Sequence, residues 1–392
     1  MTKDEFLALA ASRYDDLQRL NTERTHFMIM RRDLLNSGPN WVGQSWKATL
    51  GNCLNCREKK YCQSRFGRIA IADDHAFNAK THGFFISLYL QDLMARAGIS
   101  DVYSESNDLL QGFLCIEVAT AQVFRVTNAL GEALEDQQEQ AIRHEALPEG
   151  EVGCASMDGS MIPTRAGWKE VKLGRIFPGS AVEAVGKKKR NRIVASLYSA
   201  CLSSCHEFLP RFEASLGTWA DRPEHLVFIT DGAEWIRPYI QDRFPQATHI
   251  LDYFHAVEKL AEFARMMFPD ETRRQRWLEG QEAELSAGNV AHVLETLDKL
   301  VPLTKTAREA RDALNTYYRN NVDRMAYNQY RARGLMIGSG PMEAAHRTVL
   351  QARMKRSGQH WSTPGAKNVI NLRVALKSGR WLQAIPPLVA AA

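Results

Sequence analysis

The chain has 392 residues, 45% of them apolar and 24% charged, a composition that excludes wholesale disorder and, at roughly 150 residues per domain, implies two or three domains. No apolar run reaches the roughly 18 residues of a membrane span, the opening MTKDEFLALAASRYDD lacks the basic flank and long apolar stretch of a secretory signal, and seven cysteines argue for a reducing compartment rather than a disulfide scaffold, so neither a membrane protein nor an exported one is expected. The net charge is +5, but Arg331–Ala392 holds ten Lys and Arg against one acid, Glu343, which predicts either a polyanionic partner or a solvated basic face there.

Residues 1–50 read as mixed helix and loop. The polar stretch GNCLNCREKKYCQSRFG then carries Cys53, Cys56 and Cys62. Zinc needs four ligands, and His75 or His82 would have to supply the fourth. An iron–sulfur cluster or three free thiols are the other readings. Cys115, Cys154, Cys201 and Cys205 sit in apolar or helical contexts and read as core. Residues 84–99 predict a helix stopped by Gly98, 104–114 a second helix, and 119–136 a third in which Val123, Val126, Leu130 and Leu134 recur at helical spacing. The last two, joined by a short turn, fit a helix-turn-helix or a generic helical hairpin.

After Pro148-Glu149-Gly150 the pattern turns to strands. They are predicted at 152–158, at Val171–Phe177, where apolar residues alternate with Lys172 and Arg175, and at 193–200. Lys187, Lys188, Lys189, Arg190 and Arg192 form a basic loop before the third strand, either solvated or in contact with a DNA backbone. A helix around His206–Trp219, the strand HLVFIT, a helix over 233–244 and the strand-like THILDYF complete a mixed α/β set. Residues 256–332 predict helices broken near Pro269, Gly288 and Pro302, and IGSGPMEAAHRTVLQARMKRSG a final helix with Pro341 at its start and Gly358 at its stop.

Asp158 and Asp231 each end a predicted strand and precede a glycine, which lets the backbone turn away and leave the carboxylate at the sheet edge, where α/β proteins meet ligands. A simple Asp-Gly turn is the plain alternative. The order strand Asp, strand Asp, helix Glu343 favours three hard oxygen donors converging on two Mg²⁺ or Mn²⁺ ions, the arrangement of phosphodiester chemistry. Asp252 and His255, at i and i+3 where strand passes into helix, are candidates for the same site, His255 to hold a phosphate or assist proton transfer. A structural Asp–His hydrogen bond is the alternative. His346, one turn after Glu343, has a weaker case. Arg347, Arg353, Lys355, Arg356, His360 and Trp361 follow: the cations suit phosphates, and the indole suits an unpaired base. The chain has no GxxxxGK[ST] or GxGxxG motif, which disfavours an ATP-driven or dinucleotide enzyme.

The stretches SMDGSMIP, FITDGAEWI, LDYFHAVEKL and IGSGPMEAAHRTVLQARMKRSGQHWS resemble those of bacterial insertion-sequence transposases, above all the Mutator-like, ISKra-type DDE group, over about residues 104–376. The resemblance implies an α/β RNase H-like catalytic domain, a mixed sheet flanked by helices, at 146–262 and 331–376, with an all-helical insertion at 263–330. A mainly helical DNA-binding region at 84–145, a Cys-bearing zinc region at 1–83 and a tail at 377–392 complete the expected layout. It implies that Asp158, Asp231 and Glu343 bind two Mg²⁺ (or Mn²⁺) ions and that Asp252 and His255 form an Asp-x-x-His signature. The expected partners are double-stranded DNA, as terminal inverted repeats and target, and further copies of the chain in a homodimer or higher oligomer. The expected activity is DNA cleavage and joining of 3′-hydroxyl ends to target DNA, in the bacterial cytoplasm at the nucleoid. A nuclease or resolvase on the same fold, or a domesticated DNA-binding protein without chemistry, are the alternatives.

Overall fold

The computed structural model describes residues 60–64, 67–71, 84–138, 151–185 and 190–381. The chain divides into two compact units, Met1–Leu134 with Arg380–Ala392, and Glu135–Gly379. Cys53, Cys56, His75, His82, Lys187, Lys188 and Lys189 lie outside the described residues, and of Cys62 and Arg190 only the backbone is described.

In the first unit, strands β1 (Lys60–Ser64) and β2 (Gly67–Ile71) form an antiparallel hairpin. Three helices follow: α1 (Leu88–Ser100), α2 (Tyr103–Leu114) and α3 (Thr120–Gln138). The expected stripe holds, because Val123, Val126, Leu130 and Leu134 are all buried, as are Leu90, Met94 and Ile99 of α1. Gly98 does not stop its helix as expected. It lies inside α1, where the Thr127 and Val123 side chains come too close for a Cβ. The Ser106 hydroxyl donates to the Ala97 carbonyl (2.8 Å) and ties α2 to the end of α1. Trp381 donates its indole N–H to Asp92, and Arg96 lies over the Trp381 ring at 4.6 Å.

The second unit is built on a five-stranded sheet of order β7-β4-β3-β8-β9. The strands are β3 (Gly153–Thr164), β4 (Gly167–Pro178), β7 (Leu197–Cys201), β8 (Leu226–Thr230) and β9 (Thr248–Leu251). The β3, β4 and β7 strands pair antiparallel, and β8 and β9 run parallel to β3. The predicted third strand is two strands: β6 (Arg190–Ile193) pairs with β5 (Val182–Val185) in a separate ribbon, and β7 joins the main sheet. Alternation in β4 was expected to turn Lys172 and Arg175 outward. Every residue of Val171–Phe177 is buried instead, because β4 lies inside the sheet with elements packed on both faces.

The connections are helical: α4 (Cys205–Leu216), α5 (Ile236–Arg243), then α6 (Tyr253–Met267), α7 (Glu271–Ser286), α8 (Val290–Lys299), α9 (Lys305–Asn321) and α10 (Tyr327–Ala332). The breaks fall near Pro269, Gly288 and Pro302 as expected. Asp270 and Thr304 cap the helices after two of them, accepting from Arg273 N (2.8 Å) and Ala307 N (3.1 Å), and Gly288 takes a positive φ of 79°. Side chains alternate along β8 into two cores. Leu226 and Phe228 join Phe208, Phe212 and Ile236. Val227 and Ile229 join Leu260, Phe263, Leu314 and Tyr318. Full burial of each such side chain stabilises the fold by about 1.5–3 kcal/mol. Helix α11 (Gly340–Ala345) passes into a π-helical stretch, His346–Gln351, and a last turn, Ala352–Met354; α12 (Thr363–Lys377) follows. No helix among the described residues is long and apolar enough to cross a membrane.

Candidate active site

Two aspartates follow the ends of neighbouring parallel strands, and a third lies within β3. The parallel pairing of β3 with β8 runs from Gly153–Leu226 to Ala155–Phe228, and beyond it Asp158 and Asp231 lie close enough for the Asp158 charge to act on Asp231. The pairing of β8 with β9 sets Thr230 opposite Leu251, so the next pair is Asp231 and Asp252. Asp231 and Asp252 therefore directly follow the C-terminal ends of β8 and β9, where open α/β sheets bind ligands, and Asp158 lies within β3, three residues beyond its last pair with β8. Asp158 does not end its strand as expected. β3 continues to Thr164 because β4 pairs with its whole length. The two glycines differ accordingly. Gly232 takes a positive φ of 95° and turns the chain after Asp231, whereas Gly159 stays in the strand, where a Cβ would overlap the Glu170 carboxylate.

Asp158 Oδ1 accepts the Gly159 N–H (2.6 Å), and Oδ2 lies 2.8 Å from His346 Nε2. A carboxylate only accepts, so Nε2 carries the hydrogen. His346 is buried, and its Nδ1 has no hydrogen-bond partner among the described residues. The Asp231 carboxyl titrates above the ordinary 3.8. Burial is the main cause and the Asp158 charge the second; the Ala233 N–H (3.0 Å) and His255 oppose them. The Asp231 carbonyl accepts the Tyr317 hydroxyl (2.9 Å), which fixes the backbone there.

Asp252 is only 4% exposed and both its oxygens are engaged. One caps α6 by accepting Phe254 N (2.9 Å), and the other accepts the Ser339 hydroxyl (2.5 Å). It braces the loop before α11. The structural Asp252–His255 hydrogen bond, the alternative reading of that spacing, is not formed. His255 Nδ1 lies 3.5 Å from Glu258, and its ring faces Tyr317 edge-on at 6.3 Å. Glu343 is exposed on α11, whose start is held to β4 by Arg175 donating to the Pro341 carbonyl (2.6 Å). Among the described residues no three acidic, imidazole or thiol side chains are gathered as a metal site. The assembled part of the expected triad is thus Asp158 with Asp231.

The residues expected to touch DNA divide by burial. Arg192, Arg347 and Lys355 are exposed and Arg356 is half-buried; Lys355 Nζ donates to Ser160 Oγ (2.8 Å). Arg353 and Trp361 are buried, which corrects the expectation that they contact nucleic acid. The Arg353 guanidinium lies 4.7 Å from the Trp361 ring centre, and the indole N–H donates to the Met354 carbonyl (3.0 Å). Trp361 also bonds the β3–β4 hairpin, its N–H donating to Pro163 and its carbonyl accepting from Arg165 (3.2 and 2.8 Å). His346 and Arg175 are the site residues that sequence reasoning undervalued. Arg175 read as an outward strand position. His346 was noted only for its spacing from Glu343, and its pairing with Asp158 depends on long-range docking that no local pattern encodes.

No characterised protein matches the chain closely enough to lend it a function. A family model does match, over residues 117–385, and by that match the chain belongs to the uncharacterised protein family UPF0236.

Proposed function

We infer that the chain is a divalent-metal-dependent DNA transposase of the DDE type, which cleaves the ends of a mobile element and joins their 3′-hydroxyls to target DNA. The observation that carries the reading is the pair Asp158 and Asp231, where burial first and repulsion from the Asp158 charge second raise the Asp231 titration. A bound cation would relieve that repulsion, and hard carboxylate oxygens suit Mg²⁺ or Mn²⁺. Asp158, Asp231 and Glu343 would hold the ions, which supply Lewis acidity for phosphodiester cleavage when bound. His346 fixes the orientation of Asp158, Tyr317 the backbone of Asp231, and Asp252 the loop that leads to Glu343. Arg347, Lys355 and Arg356 offer phosphate contacts beside the site. The mixed sheet and the run of helices between Asp231 and Glu343 are compatible with the RNase H-like domain that the sequence resemblance implies. Helices α2 and α3 and a zinc module at Cys53, Cys56, Cys62 and His75 would bind the element's ends.

The test uses the purified chain, supercoiled plasmid carrying the element's ends, and Mg²⁺ or Mn²⁺. Wild type is expected to nick the ends and join them to a second DNA. Asp158→Asn, Asp231→Asn and Glu343→Gln should each lower cleavage by about 10²–10³-fold or more while keeping DNA affinity. Undiminished cleavage by Asp231→Asn overturns the reading, and cleavage without joining makes the chain a nuclease.

A further inference from the structure

We propose that Phe254 is a stacking platform for an unpaired DNA base beside the scissile phosphate; this rests on the DNA-processing reading of the aspartate pair. Phe254 is 65% exposed at the start of α6, whereas its neighbour Tyr253 is 6% exposed. It lies between Asp252 and His255 in sequence, one residue from a group that interacts electrostatically with Asp231.

The ring is exposed yet held. Tyr253 meets it edge-on, centroids 5.4 Å apart. The backbone of Gly338 packs against it so closely that a Cβ there would stand 2.4–2.5 Å from two ring carbons. That loop is pinned in turn by Tyr253 N–H donating to the Ile337 carbonyl (2.9 Å) and by Ser339 donating to Asp252. Part of the ring is therefore braced while much of it stays open to solvent. An aromatic side chain already immobilised loses little further freedom when a flat partner stacks on it.

The surroundings select the partner. The neighbourhood is polar: Asp252 accepts the Phe254 N–H and the Ser339 hydroxyl, and His255, the next residue, lies 3.5 Å from Glu258. A single ring among them is too small for an apolar protein face, which needs a contiguous patch. A nucleobase matches its size, and its π-face needs no charged partner next to the carboxylates. That face is free only where the base is unpaired, at a strand end or flipped out of the duplex.

The experiment measures binding in Ca²⁺, where the chain holds DNA without turnover. The probes are a short duplex with a single-stranded 3′ tail and the same duplex with an abasic tail. Wild type should bind the tail with bases more tightly by roughly 5- to 150-fold, the range for one stacked base. Phe254→Ala and Phe254→Leu should abolish that preference, and Phe254→Trp should keep it. Gly338→Ala, which displaces the ring, should reduce it. Equal affinity of wild type for both tails, or a preference that survives Phe254→Ala, overturns the proposal. Mn²⁺-dependent cleavage by the same preparations separates the two readings. Cleavage without a base preference sinks only the stacking role, whereas a wild type that neither binds nor cleaves DNA sinks both.

Discussion

Asp231 carries a cost that can be measured without any substrate. Burial and the Asp158 charge raise its folded-state titration above the ordinary 3.8. The folded chain therefore keeps this proton at pH values where the unfolded chain has released it. Stability from the group is fully present below the unfolded value and is lost as pH rises through the raised folded value. Above the unfolded value the group thus opposes folding, mainly because its charge is buried. Asp231→Asn removes the charge but keeps an oxygen to accept the Ala233 N–H. In chelator at neutral pH, this variant should melt about 2 °C or more above wild type, a shift of the size a fraction of a kcal/mol to 1 kcal/mol produces in a domain of this length. The gap should shrink in acid, and shrink again when Mg²⁺ is added to wild type, because either a proton or a cation relieves the repulsion. Melting curves recorded across pH check this, and a variant less stable than wild type at neutral pH would show that the buried carboxylate does not oppose folding. The two aspartates were legible in the sequence because strand patterns and following glycines bracket them. Their proximity was not, since it depends on pairing between strands more than 60 residues apart in sequence.

Elements of local origin were the most legible. The helices between Tyr253 and Ala332 carry caps and breakers at their ends, and the α3 stripe follows from spacing alone. What local pattern could not show is which polar residues the packed fold would enclose. Ten cations made the C-terminal segment look like one basic face, yet Arg353 and Arg373 are internal. Arg373 donates to the carbonyls of Thr348 and Val349, within the π-helical stretch, where wider turns disturb the usual hydrogen-bond ladder. Arg353 stacks on Trp361, which is bonded to the β3–β4 hairpin, so this pair fastens the Glu343 helix to the strand that carries Asp158. Changes at neighbouring cations should therefore separate cleanly. Arg353→Ala should lower stability by about 2–4 kcal/mol, through the emptied space and the groups left without partners. Lys355→Ala with Arg347→Ala should hardly change melting, but should flatten the salt dependence of DNA binding by up to about two phosphate contacts. Chemical denaturation and binding titrations at several salt concentrations check both halves. An unchanged salt slope in the double variant would make the exposed cations a solvated face.

At the scale of the whole molecule, the acids and the cores that hold them belong to one unit. Every residue of the two hydrophobic clusters lies between Val152 and Ile337, and all five strands of the main sheet lie in the same span. The helix bearing Glu343 and His346 and the α12 helix beneath it complete the unit before Gly379. A piece cut after α3, residues 139–379, therefore contains its own cores and falls within the size range of independent domains. It should be soluble and unfold in one cooperative transition. If the aspartate pair is the catalytic centre, the piece should also nick plasmid in Mn²⁺. It should do so without preference for the element's ends, since helices α2 and α3 and the Cys-bearing region, which are proposed to bind those ends, are absent from it. The companion piece, residues 1–138, should bind those ends over random DNA and cut nothing. Thermal unfolding, plasmid nicking and competition binding on the two pieces test the division of labour. Loss of end preference by the full chain on changing only residues within 139–379 would move recognition into the catalytic unit. A 139–379 piece that melts without a transition would show that its cores are insufficient alone.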